Sequence, residues 1–123
     1  MKAYLINPDE ATITEIEYNG DWRTITEHLG GAPVRFFTTV ALNHDHDAIF
    51  VDDEGLINDN PHGWFELQTY NQPLKGLGLV LGVDEAGMSV APVATLEQVK
   101  ALVKFPKFVN EALIDRQVRI RSL

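Results

Sequence analysis

Two histidines and two aspartates alternate in His44-Asp45-His46-Asp47. In an extended segment this spacing puts both imidazoles on one side, and imidazole with carboxylate suits zinc, nickel or iron. A catalytic metal needs three protein ligands with hydrogen-bonded support, and His62 offers a third only by its position in the chain. The same residues could be read as an acid–base pair, but no convincing nucleophile accompanies them. The expectation is a solvated loop, with no bound metal and no cofactor.

A second stretch with chemical potential is Gly76-Leu77-Gly78-Leu79-Val80-Leu81-Gly82. Clustered glycines suggest a phosphate loop, yet such loops follow a strand and open a helix, whereas these lead into a strand, and no Gly-Lys-Ser/Thr follows. Close backbone packing or a bulge is the simpler explanation. Exposed amides at Gly76 and Gly78, beside Asn71, Gln72 and Lys75, remain candidates for an anion or a base edge. Val51-Asp52-Asp53-Glu54-Gly55-Leu56 and Val83-Asp84-Glu85-Ala86-Gly87-Met88 share a pattern that reads as two hairpin turns. A calcium loop would spread its ligands over about twelve residues.

These residues must be positioned by short elements. Lys2 to Asn7 and Ala11 to Tyr18 read as a hairpin around Asn7-Pro8-Asp9-Glu10. Asp21 can cap a helix with Trp22, Ile25 and Leu29 on its apolar face, ended by Gly30-Gly31. Pro33 to Leu42 reads as a strand with Phe36 and Phe37 on opposite faces. Ala48 to Val51 and Leu56-Ile57 suggest another hairpin. Trp64 to Tyr70 alternates Phe65, Leu67 and Thr69 against Trp64, Glu66, Gln68 and Tyr70. Leu77 to Val83 and Met88 to Val93 make a third hairpin, expected to be central. Thr95 and Gln98 have capping-box spacing for a helix with Leu96, Val99 and Val103 inward, running to Pro106. Phe108 to Ile114 reads as a short helix and Gln117 to Leu123 as an edge strand. The order predicts a single α+β domain over residues 1–123: a mostly antiparallel sheet of hairpins, one early helix and C-terminal helices, with no βαβ series.

Composition narrows the function classes. The 123 residues contain no cysteine, which excludes a disulfide scaffold, a thiolate metal site and a cysteine nucleophile. Net charge is −8, which repels a phosphate backbone and argues against direct nucleic-acid binding. Residues 1–70 hold three basic and thirteen acidic side chains; residues 71–123 hold seven and five. No apolar run approaches the ~20 residues of a membrane span, and the opening residues break too early for a signal peptide. A cytoplasmic protein without membrane contact is expected.

Four stretches resemble a small family of phage and mobile-element proteins known as domain of unknown function 3846: Leu5-Ile6-Asn7-Pro8, Tyr18-Asn19-Gly20 with the helix after it, Asp47 to Leu56, and Gln72 to Gly82. The last two are the specific ones. The resemblance implies a setting, the cytoplasm of an infected host cell, and brings no catalytic residues. His44 to His46 is not part of the family pattern.

Taken together, these features lead us to expect a noncatalytic binding protein that interferes with host machinery. In the first reading it sequesters a small anionic, nucleotide-type ligand of host defence through Asn71, Gln72, Lys75, Gly76, Gly78, Arg119 and Arg121, since a fixed Arg fork suits phosphate. In the second it is an acidic inhibitor of a host protein. A metal-dependent hydrolase using His44 and His46 is the third.

The segment from Gln117 also raises homo-oligomerisation: Val118 and Ile120 form one face of an edge-like strand, Arg119 and Arg121 the other, and exposed edges tend to be paired. The alternative is a monomer in which the segment completes its own sheet. Substituting Arg119 and Arg121 by Glu should open an interface while costing a monomer no more than about 1 kcal/mol per surface pair. Light scattering after chromatography decides it; an unmodified protein eluting at 13.8 kDa excludes the assembly.

Overall fold

The computed structural model describes residues 1–31, 34–42, 46–55 and 60–106. Strands β1 (Lys2–Asn7) and β2 (Thr12–Glu17) form the first hairpin, with Ala3 opposite Ile16 and Ile6 opposite Ile13. A 3-10 turn over Trp22–Thr24 runs into α1 (Ile25–His28). Strands β3 (Phe37–Ala41), β4 (Asp47–Asp52), β5 (Trp64–Leu67), β6 (Leu74–Lys75), β7 (Gly78–Val83) and β8 (Ser89–Val90) follow. Helix α2 (Leu96–Leu102) leads directly into β9 (Val103–Lys104). The main sheet has the order β2-β1-β7-β4-β3, with β8 on the end of β7, and a small sheet has the order β6-β5-β9. Every recorded pairing is antiparallel. The fold is α+β with two short helices. No helix among the described residues is long and apolar enough to cross a membrane.

Alternation along the strands explains the layering. Side chains of period two point to opposite faces. Tyr4, Ile6, Ile49, Val51 and Val80 pack on one side with Phe65, Leu67, Val99 and Val103 of the small sheet, α2 and β9. Ala3, Phe50, Leu79 and Leu81 pack on the other with Ile25 and Leu29. Strand β7 is covered on both faces, which is why its sequence is apolar without alternation. Glycine fits where another layer presses closest: a Cβ on Gly78 would stand 3.0 Å from both Ile49 and Phe65, and one on Gly82 would stand 2.7 Å from the Ala91 carbonyl oxygen. The close-packing explanation of the glycine run therefore holds at these two positions.

Both repeated acidic motifs are turns. The Asp52 carboxylate accepts from the Glu54 amide at 3.0 Å, and the Asp84 carboxylate accepts from Ala86 and Met88 amides at 2.9 and 2.8 Å. Thr95 and Gln98 form the capping box of α2 in both directions.

Several elements differ from expectation. The first helix has one 3-10 turn and one α turn, too short to lay three residues on the sheet; Ile25 and Leu29 do so and Trp22 is 66% exposed. Phe36 lies outside β3 and is 61% exposed, while Phe37 packs edge-on against Phe50. Strand β5 stops at Leu67, where the chain turns. Helix α2 ends at Leu102 rather than at Pro106, because Val103 and Lys104 pair with Leu67 and Glu66. The open edge of β5 offers β-branched Val103 a ladder, and the helix gives way to it. Leu56 and Ile57, and the helix and strand expected after residue 107, lie outside the described residues.

Asp47 fastens the layers together. Its side chain is buried in β4 and accepts the Val93 amide at 2.9 Å and the Ala94 amide at 2.7 Å, while the Tyr4 hydroxyl donates to the Ala94 carbonyl at 2.9 Å. Asp47→Asn would place an NH2 group against one of two backbone donors. Losing one bond to a charged acceptor and stranding a buried amide should destabilise the fold by about 2 kcal/mol. Urea unfolding checks this.

Candidate functional site

A cleft of about 480 Å³ opens between the small sheet and the end of α2. Strand β5 contributes Glu66 and Leu67, the turn after it Gln68 and Tyr70, and the approach to β6 Asn71, Gln72 and Pro73. Ala101 and Leu102 of α2 and Lys104 of β9 complete the lining among the described residues. The turn is held at both ends. The Gln68 amide donates to the Leu102 carbonyl at 2.9 Å and the Tyr70 amide to the Leu67 carbonyl at 3.0 Å. Pairing of Glu66 with Lys104 and Leu67 with Val103 joins the two walls.

The lining is chemically mixed. Gln68, Asn71 and Gln72 bring carboxamides to it, planar groups that carry both donors and acceptors. Tyr70 supplies a partly exposed ring with a hydroxyl, Glu66 and Lys104 one charge of each sign, and Ala101 and Leu102 apolar surface.

The structure separates the residues singled out from sequence. Asn71 and Gln72 line the cleft. The Lys75 ammonium instead stands 5.1 Å from the centre of the Trp64 ring, a cation–π contact. The Gly76 amide donates to the Gly63 carbonyl at 2.8 Å, so it is engaged within the fold. Gly76 also has φ of +102°, and a Cβ there would meet the Asn60 carboxamide at 2.8 Å. Gly78 faces Ile6 in the β1–β7 ladder. The glycine segment thus serves packing, and the anion cradle drawn from its amides does not form at Gly76. Arg119 and Arg121, like His44, lie outside the described residues.

Glu66, Gln68 and Tyr70 share one face of an alternating strand with Trp64 in the sequence, without a signal that three of them line a cleft. Lys104 gave no such signal, because its sequence neighbours read as helix.

Two networks brace the opposite end of the small sheet. Asn60 is buried; its Nδ2 donates to Asp52 at 2.8 Å and its Oδ1 accepts from the His62 amide at 3.0 Å. Asp9, in the β1–β2 turn, contacts His62 Nδ1 at 2.6 Å and accepts the Gly63 amide at 2.7 Å. His62, which offered a third ligand to His44 and His46 only by its position in the chain, is engaged with Asp9. Among the described residues no group of three or more His, Asp or Glu side chains is placed to hold a metal ion. None of Asp9, Asn60 or His62 lines the cleft.

A family model described as a domain of unknown function (DUF3846) matches residues 1–104 of the chain. The chain belongs to this family. The match ends on the last residue of β9, so it takes in both sheets, both helices and every described residue that lines the cleft. No curated protein and no solved structure matches the chain.

Partial burial acts to raise the Asp9 carboxyl's pKa, but hydrogen bonds from His62 and the Gly63 amide, with the charges of His62 and Lys75, outweigh it and hold the group below its ordinary value of 3.8. A carboxyl depressed on folding adds stability above its unfolded value, and that stability is lost as pH falls through the folded value. Asp9→Asn should therefore cost stability at pH 7, by no more than about 1 kcal/mol because the pair is partly exposed. The difference from the unmodified protein should shrink as the pH is taken below 3.8. Urea titrations at pH 7 and pH 2.5 test the sign.

Proposed function

We propose that this member of the DUF3846 family is a noncatalytic binding protein that holds a nucleotide-type ligand in the cleft between the β5–β6 turn and the end of α2. One observation carries the reading: three carboxamides, a phenol ring and a lysine line the same cleft of about 480 Å³. Carboxamides complement the donor and acceptor edges of a base, an aromatic side chain offers a stacking surface, and an ammonium meets a phosphate. The volume lies in the range of small-molecule sites, about 300–1,000 Å³.

Binding rather than turnover is supported by the chemistry of that lining. Among the described lining residues Glu66 is the carboxylate, and the histidine–aspartate contact of the described residues, His62 with Asp9, belongs to a different part of the surface. In the cytoplasm of an infected cell, a protein of this kind would act by sequestering a nucleotide signal of host defence. This keeps the ligand class expected from the sequence and moves the site from the glycine amides to the turn that follows β5.

A ligand at a hundredfold its dissociation constant stabilises the folded state by about 2.7 kcal/mol. Thermal-shift and calorimetric titration with adenosine, AMP, UMP and ATP should give a saturable rise in melting temperature for at least one of them. Tyr70→Ala should weaken that binding by about 1–3 kcal/mol, the usual value of base stacking on an aromatic side chain. If none of the four binds at millimolar concentration, the nucleotide reading is wrong.

A further inference from the structure

We infer that the cleft recognises the two ends of its nucleotide separately, Glu66 taking a base that bears an exocyclic amine and Lys104 taking a single phosphate group. The inference rests on the nucleotide reading of the same cleft. Its own basis is the register of the small sheet.

Glu66 and Lys104 are direct partners in the antiparallel β5–β9 pair, and both line the cleft. Directly opposed residues have Cβ atoms about 4.5–5.5 Å apart on one face of the sheet. The wall therefore presents a carboxylate and an ammonium on one face, each at the tip of a long, exposed side chain. Such a wall is complementary to a ligand that carries a hydrogen-bond donor and an anion. Amino-bearing bases, adenine among them, supply the donor; uracil offers carbonyl oxygens at the corresponding position, which a carboxylate repels.

The charge balance sets the number of phosphates. Among the described lining residues Lys104 is the cation and Glu66 the anion, so the cleft has no surplus positive charge to set against a triphosphate. The whole chain carries −8, and its field opposes each added negative charge. A monophosphate places one anionic group beside Lys104. A triphosphate must leave two more near Glu66 or in solvent.

The test uses the full chain with adenosine, AMP, UMP and ATP in calorimetric titration at physiological salt. AMP should bind about tenfold or more tightly than ATP, and tighter than UMP by a similar factor, the scale of one hydrogen bond to a charged group. Lys104→Gln should bring AMP down to the affinity of adenosine while leaving adenosine unchanged. Glu66→Gln should narrow the gap between AMP and UMP. Both side chains are exposed, and unaltered melting of the free variants shows that the fold is retained. ATP binding as tightly as AMP, UMP matching AMP, or equal losses of adenosine and AMP on Lys104→Gln would each overturn the two-ended recognition while leaving nucleotide binding in place. Failure of all four compounds to bind overturns both together.

Discussion

The buried carboxylate of Asp47 is the contact on which the arrangement of layers depends. It sits in β4, paired on one side with β3 and on the other with β7. From there it reaches two consecutive amides, those of Val93 and Ala94, in the segment that leads to the capping box of α2. A carboxylate with two backbone donors is a strong and directional anchor. The Tyr4 hydroxyl holds the same segment from the neighbouring strand pair. The start of α2 is thereby set against the main sheet, and its far end carries β9 and one wall of the cleft.

The small sheet is positioned from its other side by polar contacts of a different kind. Asp9 of the first hairpin and Asp52 at the end of β4 hold the chain entering β5, through His62, Gly63 and Asn60. Gly76 leaves room for the Asn60 carboxamide, and Gly78 lets the Phe65 ring approach the main sheet. Glycines that look like a ligand loop thus make an interlayer contact possible. The cleft lies earlier in the chain, where Gln68 and Tyr70 to Pro73 line it with the end of α2.

This arrangement also shifts the electrostatic view of the molecule. An acidic chain with its basic residues toward the C-terminal end invites a search for a cationic pocket. The described lining of the cleft instead combines carboxamides with one charge of each sign. Lysine and glutamate face each other there across a two-residue ladder. The other cation of the small sheet, Lys75, covers the Trp64 ring instead.

Local chemistry made much of the fold legible in the residues themselves. The first hairpin, the Asp-led turns, the capping box of α2 and the antiparallel α+β class all follow from periodicity, turn residues and short-range hydrogen bonds, which act over a few positions. Other features were settled only when distant segments met. The end of α2 is one, because Val103 and Lys104 could continue a helix or pair with a strand, and the free edge of β5 decides. The contact of Asp9 with His62, the reason for glycine at 76 and 78, and the union of Glu66, Gln68 and Tyr70 with Lys104 in one cleft are others. Each depends on which backbone edges and side-chain surfaces remain uncovered after the main sheet has formed, and no local pattern of residues encodes that remainder.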